Sequence, residues 1–156
     1  MGHRKDLQER MPAMLLHEGV WEGTYRFVDL NGKVIDEYAS RIQCEFPDDG
    51  PWAYVQKNYY EWADGRTFET EFGGELQGDR LWWDTDRFSG FGWATHDNIV
   101  MLTLDRNDTP GESFSEMIQI APDGIHRLRT WQWFREGRPF QRTLCDERRV
   151  SDEPGS

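Results

Sequence analysis

An alternation of arginine and tryptophan near the C-terminus is the strongest chemical signal in this sequence of 156 residues. Alternate side chains of a β-strand share one face. One face of residues 125–135 would therefore carry Arg127, Arg129, Trp131 and Trp133. On an inward face the guanidiniums would need partners, because an unpaired buried charge is costly. On an outward face they would stack on exposed indoles. Candidate partners are a ligand carboxylate or the side chains of Glu69, Glu71, Asp84 and Glu116.

A second segment, residues 52–62, combines aromatic rings with amides on one predicted face. Apolar walls with a few placed polar groups are typical of small-molecule pockets. The alternative is a packed interior in which the amides bind internal water. The residues on this face are Trp52, Tyr54, Gln56, Asn58, Tyr60 and Trp62.

The segments that would position these side chains are short and are separated by turn-forming pairs such as Asn31-Gly32 and Asp123-Gly124. Such pairs supply the positive φ angles that tight hairpins need. We count nine turns, one of them at Gly73-Gly74, and between them the chain is rich in β-branched and aromatic residues. The predicted strands are 19–29, 34–46, 52–62, 67–73, 75–85, 89–96, 99–105, 113–121, 125–135 and 139–149.

Ten consecutive hairpin-connected strands predict an all-β fold, an antiparallel up-and-down meander that closes into a barrel. A two-sheet sandwich is the alternative, but sequential hairpins favour the barrel. The only helix candidate is 5–17, which Pro12 would distort. We expect residues 1–18 to be an N-terminal helical segment, 19–150 a single barrel domain and 151–156 a disordered tail.

The first predicted strand begins with Gly19-Val20-Trp21-Glu22-Gly23, a G-x-W-x-G motif. In this position, before a ten-strand meander, the motif resembles the calycin superfamily of lipocalins, fatty-acid-binding proteins, nitrobindin-like and bilin-lyase-like barrels. The pattern looks nearest to uncharacterised bacterial calycin-like domains related to the bilin-lyase group. The resemblance implies that Trp21 closes one end of the barrel beneath an arginine of the last strand. Arg142 and Arg148 are the candidates.

The composition limits the classes of binding partner and the cellular compartment that we expect for this protein. The net charge of −11 disfavours nucleic acid and anionic membranes. The N-terminus has no sustained apolar segment, so we expect a cytoplasmic protein with Cys44 and Cys145 as reduced thiols. We expect no metal and no cofactor, because the four histidines lack metal-site spacing. Haem on His126, by analogy with nitrobindin-like barrels, is a minor alternative.

We therefore expect a lipocalin-like barrel that binds a small hydrophobic or amphipathic molecule. An anionic ligand is one option for this molecule, and a homodimer is one option for the assembly. One alternative is an enzyme on the same barrel, such as a bilin-lyase-like protein, an isomerase or a hydratase. Its acid or base would be Glu116, Asp84 or His126, and Ser115 and Glu116 could meet His126 across a hairpin. The other alternative is an interaction domain with a packed interior. The predicted ligand-binding residues are Trp21, Tyr25, Gln56, Asn58, Tyr60, Arg127, Arg129 and Trp131.

Overall fold

The chain folds into ten antiparallel strands that form one closed barrel in a computed structural model describing residues 2–153. Each strand pairs with its neighbours along the chain, and the first pairs with the last. The predicted meander barrel is confirmed, and the sandwich is excluded. The strands are β1 (Gly19–Asp29), β2 (Val34–Glu45), β3 (Tyr54–Glu61), β4 (Thr67–Gln77), β5 (Arg80–Asp84), β6 (Phe88–Ala94), β7 (Val100–Arg106), β8 (Glu112–Ile120), β9 (His126–Arg135) and β10 (Arg138–Ser151).

Two short helices precede the barrel, α1 (His3–Arg10) and α2 (Pro12–Leu15). The predicted helix is indeed broken at Pro12, whose ring fits the first turn of a helix but not its interior. Leu7 and Met14 are buried in the core, so the helices cover one end of the barrel. Neither helix is long or apolar enough to span a membrane, and the same holds for every helix in residues 2–153.

The predicted turn at Gly73-Gly74 is wrong. β4 continues through both glycines to Gln77, and the chain turns at Gly78, whose φ is +62°. The two glycines instead admit aromatic rings, since a Cβ on Gly73 would lie 2.3 Å from the Trp52 ring and one on Gly74 would lie 2.9 Å from Trp83 Nε1. A glycine pair in a strand can thus mark close packing rather than a hairpin.

Alternation along the strands places Tyr25 of β1, the amide-bearing face of β3 and the Arg127–Trp133 face of β9 inside the barrel. Trp52 is the exception: it precedes β3, and 37% of it is exposed on the outer surface. The adjacent pair Trp82-Trp83 divides between the two faces of the sheet, with Trp83 buried and Trp82 at the surface.

The strands run from Gly19 to Ser151. Ser151, the first residue of the predicted tail, still pairs with Val20. Residues 154–156 of that tail lie outside the described residues.

The cap formed by the helices generates a stability prediction. Leu7 is fully buried, so Leu7→Ala should lower the free energy of unfolding by about 2–5 kcal/mol. Leu30→Ala is the matched control, because Leu30 is 68% exposed in the β1–β2 hairpin and its loss should cost less than about 0.5 kcal/mol. Urea unfolding measures both, and equal effects would show that α1 is not anchored in the core.

Candidate functional site

Trp21 closes the end of the barrel that the helices cover, which we call the floor. Its ring is fully buried, and its Nε1 donates a hydrogen bond to the His17 carbonyl oxygen at 3.0 Å. Arg127 and Arg149 both lie over this ring, with their guanidinium carbons 4.5 Å and 4.4 Å from its centre, respectively. These cation–π contacts fix the indole at the base of the barrel.

The arginine of the last strand that packs across Trp21 is Arg149, so the expectation of Arg142 or Arg148 is wrong. Arg149 is the cross-strand partner of Trp21, whereas Arg142 and Arg148 have exposed, outward positions on β10. Arg149 also donates hydrogen bonds to the carbonyl oxygens of Leu16, at 2.7 Å, and of Gly124, at 3.1 Å. It thereby ties the end of α2 to the β8–β9 turn.

Four buried charged side chains lie directly above the floor, and we call Arg127, Arg129, Glu116 and Glu147 the charge cluster. Arg127 donates two hydrogen bonds to Glu147, from Nε at 2.6 Å and from Nη2 at 3.0 Å. Arg129 donates from Nε to Glu116 at 2.9 Å and from Nη1 to Glu147 at 3.3 Å. With two positive and two negative side chains, the cluster is neutral when all four are ionised.

The inward orientation of Arg127 and Arg129 decides between the alternatives that the sequence left open. Glu116 was among the expected partners, but Glu69, Glu71 and Asp84 are exposed on the outer surface. Sequence reasoning missed Glu147, the partner of both arginines. The signal was present, because Thr143, Cys145, Glu147 and Arg149 alternate along one face of β10.

The two glutamates of the cluster have opposite electrostatic environments. Burial raises the pKa of Glu116 because it outweighs the attraction of Arg129. Burial alone would also raise the pKa of Glu147, but the charges of Arg127 and Arg129 outweigh it and hold that pKa below its ordinary value. Such a separation distinguishes a firmly ionised carboxylate from one that more readily takes up a proton.

His17 is a neutral member of the same site. Its Nδ1 lies 3.3 Å from Nη1 of Arg127, and a guanidinium can only donate, so Nδ1 accepts the hydrogen bond. Burial lowers the pKa of His17 well below its ordinary value of 6.5, and the nearby arginine charges lower it further.

Above the charge cluster the barrel encloses a cavity of about 380 Å³. One wall carries a chain of hydrogen bonds along β3 and β4. The Tyr54 hydroxyl donates to Gln56 at 2.7 Å, and Gln56 Nε2 donates to Asn58 Oδ1 at 2.8 Å. Asn58 Nδ2 then donates to the Thr70 hydroxyl at 3.0 Å. Because these side chains are hydrogen-bonded to one another, the wall is polar and the side chains have fixed orientations.

The upper half of the cavity is lined by aromatic rings that contact one another. The Tyr25 ring lies 5.2 Å from both Tyr38 and Tyr60 and 5.4 Å from Trp131. Such separations are typical of attractive ring pairs. We call the opposite end of the barrel the mouth; it lies where β3 ends and β4 begins and is lined by Asp36, Trp62, Phe68, Arg87, Arg106 and Gln141.

Most of the predicted ligand-binding residues line this one cavity, namely Tyr25, Gln56, Asn58, Tyr60, Arg127, Arg129 and Trp131. Trp21 does not, because it lies beneath Arg127 at the floor. His126 and Ser115 have exposed side chains while Glu116 is buried, so the suggested acid–base group is not assembled. His126 Nδ1 contacts Asp123 Oδ2 at 2.6 Å outside the barrel, and the haem analogy fails on that position.

The two cysteines, Cys44 and Cys145, are free and buried. Cys44 Sγ lies 3.2 Å from the Tyr54 hydroxyl and 3.6 Å from Nη1 of Arg127, between the polar wall and the charge cluster. Within residues 2–153, no group of three or more His, Cys, Asp or Glu side chains is arranged to hold a metal ion.

The pairing of Arg127 with Glu147 predicts a strong effect on stability. Glu147→Gln should lower the free energy of unfolding by about 3–5 kcal/mol, because it leaves two buried guanidiniums with one carboxylate. Asp146→Asn, at a neighbouring side chain that is 70% exposed, should cost less than about 0.5 kcal/mol. Chemical unfolding at pH 7 compares them, and a loss below 1 kcal/mol at Glu147 would contradict a buried pairing.

His17 predicts a pH dependence of stability. In the folded protein its pKa is depressed, so below the ordinary value of 6.5 only the unfolded chain binds this proton. The free energy of unfolding should therefore decrease as the pH falls below 6.5, by up to about 1.4 kcal/mol per pH unit from this group. His17→Gln should make the decrease between pH 7 and pH 5 shallower. Identical slopes for parent and variant would show that His17 takes up its proton at the same pH in the folded and in the unfolded chain.

Comparison with known proteins supports the fold and gives no family. The sequence matches no protein-family model and no curated protein. Among solved structures, the S-type phycobiliprotein lyase CpeS from Guillardia theta is similar over 96% of this chain and 93% of its own, with a TM-score of 0.69 and 14% identity. Rv2717c from M. tuberculosis covers 92% of this chain and 96% of its own, with a TM-score of 0.61 and 16% identity.

A third similar structure is a protein of unknown function from the DUF3598 family of Nostoc punctiforme, with a TM-score of 0.61 and 15% identity. The match covers 88% of this chain but 49% of that protein, so this chain spans about half its length. At these identities the likeness concerns the fold alone.

Proposed function

We propose that this barrel binds a small amphipathic molecule in its interior, with an apolar, ring-containing body in the aromatic upper half and a polar group at the charge cluster. The observation that carries the proposal is the cavity of about 380 Å³ between contacting aromatic rings and the hydrogen-bonding charge cluster. Its volume falls in the range of about 300–1,000 Å³ that is usual for small-molecule sites.

The aromatic half supplies the apolar contacts of the proposed ligand. Tyr25, Tyr60 and Trp131 form a continuous set of ring contacts, and they pack on β1, β3 and β9, so their positions are fixed by strands rather than loops. Rings already ordered by their neighbours lose little entropy when a flat molecule packs against them. A planar apolar body therefore suits this half better than a flexible chain.

The charge cluster orients the proposed ligand. Arg129 lines the cavity with donors, Glu116 lines it with an acceptor, and the charge cluster is neutral as a whole. A polar but uncharged group, such as a carbonyl or an amide, can meet this surface without adding an uncompensated charge in the interior. The fixed orientation of the polar wall at Gln56 and Asn58 adds further selectivity.

The likeness of the fold to a phycobiliprotein lyase agrees with a barrel that takes up a small molecule. An enzyme on this barrel is the second candidate, because Glu116 is a cavity-lining acid with a raised pKa. However, Glu116 is held by Arg129 and His17 accepts from Arg127, so neither group stands free of an arginine in the described chain. Binding is therefore the function that the geometry supports better.

Filling the cavity tests the proposal. Leu104→Trp places a large ring in the cavity from β7 and should weaken binding of the neutral amphipathic dye N-phenyl-1-naphthylamine about tenfold or more, by loss of space for the ring system. The measurement is a fluorescence titration. Met117→Trp is the matched control, because the same side chain enters on the outer surface, where Met117 is 44% exposed.

Far-UV circular dichroism and a urea unfolding curve must show that both variants are folded, so that weaker dye binding is not caused by loss of the fold. A smaller variant, Tyr60→Leu, serves as a second probe of the aromatic half if Leu104→Trp fails to fold. Dye affinity that is the same in the parent and in every folded cavity variant would contradict interior binding. Native mass spectrometry and an absorbance scan of freshly purified protein would then identify the class of any retained molecule.

A further inference from the structure

The distribution of charge along the cavity differs between its two ends. In the charge cluster, near the closed end, the two arginines are matched by two glutamates, so the cluster has no excess positive charge. At the mouth the cavity-lining charged residues are Arg87, Arg106 and Asp36. Asp36 also accepts a hydrogen bond from Trp62 Nε1 at 3.0 Å. The mouth therefore has an excess of guanidinium over carboxylate among the groups that face the cavity.

The two arginines at the mouth share one carboxylate unequally. Arg106 engages both oxygens of Asp108, from Nε at 2.6 Å and from Nη2 at 3.0 Å. Arg87 reaches the same carboxylate only at 3.8 Å, beyond hydrogen-bond distance. The carboxylate is thus largely committed to Arg106, and the pKa of Asp108 is lowered chiefly by the Arg106 hydrogen bond.

Glu112 does not compensate Arg87 either. It lies 2.9 Å from Arg135 and 3.8 Å from Arg106. Asp108 and Glu112 are therefore shared among Arg87, Arg106 and Arg135, and Arg87 has the weakest pairing of the three.

Arg87 is also held in a position from which it can meet a ligand. Its guanidinium carbon lies 5.2 Å from the centre of the Phe68 ring, and both residues line the cavity. Its side chain is 49% exposed, so it contacts solvent and cavity together. A guanidinium stacked in this way keeps its in-plane donors free for a planar oxyanion.

We propose that Arg87, supported by Arg106, binds the anionic group of the ligand at the mouth, so that the ligand is an amphipathic anion whose carboxylate or sulfonate faces outward. The inference rests on the proposed function, since it presupposes an apolar body inside the barrel. On a protein of net charge −11, this excess of guanidinium among the cavity-lining groups of the mouth gives an anion a specific contact.

A matched pair of dyes tests this orientation. N-phenyl-1-naphthylamine is neutral, and 8-anilinonaphthalene-1-sulfonate has the same ring system with a sulfonate. Arg87→Gln should weaken binding of the sulfonate dye about fivefold and leave the neutral dye within about twofold, because only the anion contacts the guanidinium. Arg106→Gln should act in the same direction.

Arg138→Gln is the control. Arg138 is exposed at the same end of the barrel and is not a cavity-lining residue, so its loss changes the net charge equally without touching the ligand. A fivefold effect of Arg87→Gln on the sulfonate dye alone supports the inference.

Two results would overturn it. Equal weakening by Arg87→Gln and Arg138→Gln would reduce the effect to general electrostatics, and equal weakening of both dyes by Arg87→Gln would give Arg87 a packing role on Phe68. Failure of the folded parent protein to bind either dye is a different result, because it contradicts the proposed function itself.

Discussion

Two arginines on one strand point into a barrel, and their charge determines how the closed end is built. Arg127 and Arg129 are buried, and each needs a carboxylate partner, because burying an unpaired guanidinium destabilises the fold by several kcal/mol. Glu147 lies between them, and Glu116 completes the neutral set. The pairing spans β8, β9 and β10, so the register of these strands and the positions of the charges depend on one another.

The remaining elements of the closed end exclude water from this network. Trp21 lies under Arg127 and Arg149, and Leu7 in α1 is buried against the core. Arg149 fastens the end of α2 through the Leu16 carbonyl oxygen. A water-excluded floor strengthens each charged hydrogen bond and also makes each unpaired group costly. The helices are short, but they convert a strand barrel that would be open at both ends into one with a single mouth.

The arrangement leaves the interior with a graded polarity. The charge cluster near the closed end contains two positive and two negative side chains. The middle of the cavity has aromatic rings on one side and hydrogen-bonded amides on the other. The mouth has an excess of guanidinium at Arg87. A molecule that matches this gradient has a neutral polar end, a planar apolar body and an outward anion. Fold likeness alone would not give this description, because barrels of one fold hold unrelated ligands.

Local pattern was sufficient for the strands, the meander and the set of side chains on each face, because a strand repeats every two residues and hairpin turns have a recognisable chemistry. It also selected most of the cavity-lining residues, including Tyr25, Asn58 and Arg129. It failed where the answer depended on contacts between distant strands. Gly73 reads as a turn residue until the Trp52 ring is seen against it. The partner of Arg127 is Glu147, and the arginine over Trp21 is Arg149, because the β1–β10 and β9–β10 registers bring those residues together. By itself the sequence determined which residues share a face. Only the tertiary structure decided which face points inward and which charges meet, since pairing across strands is set by the packing of the whole barrel.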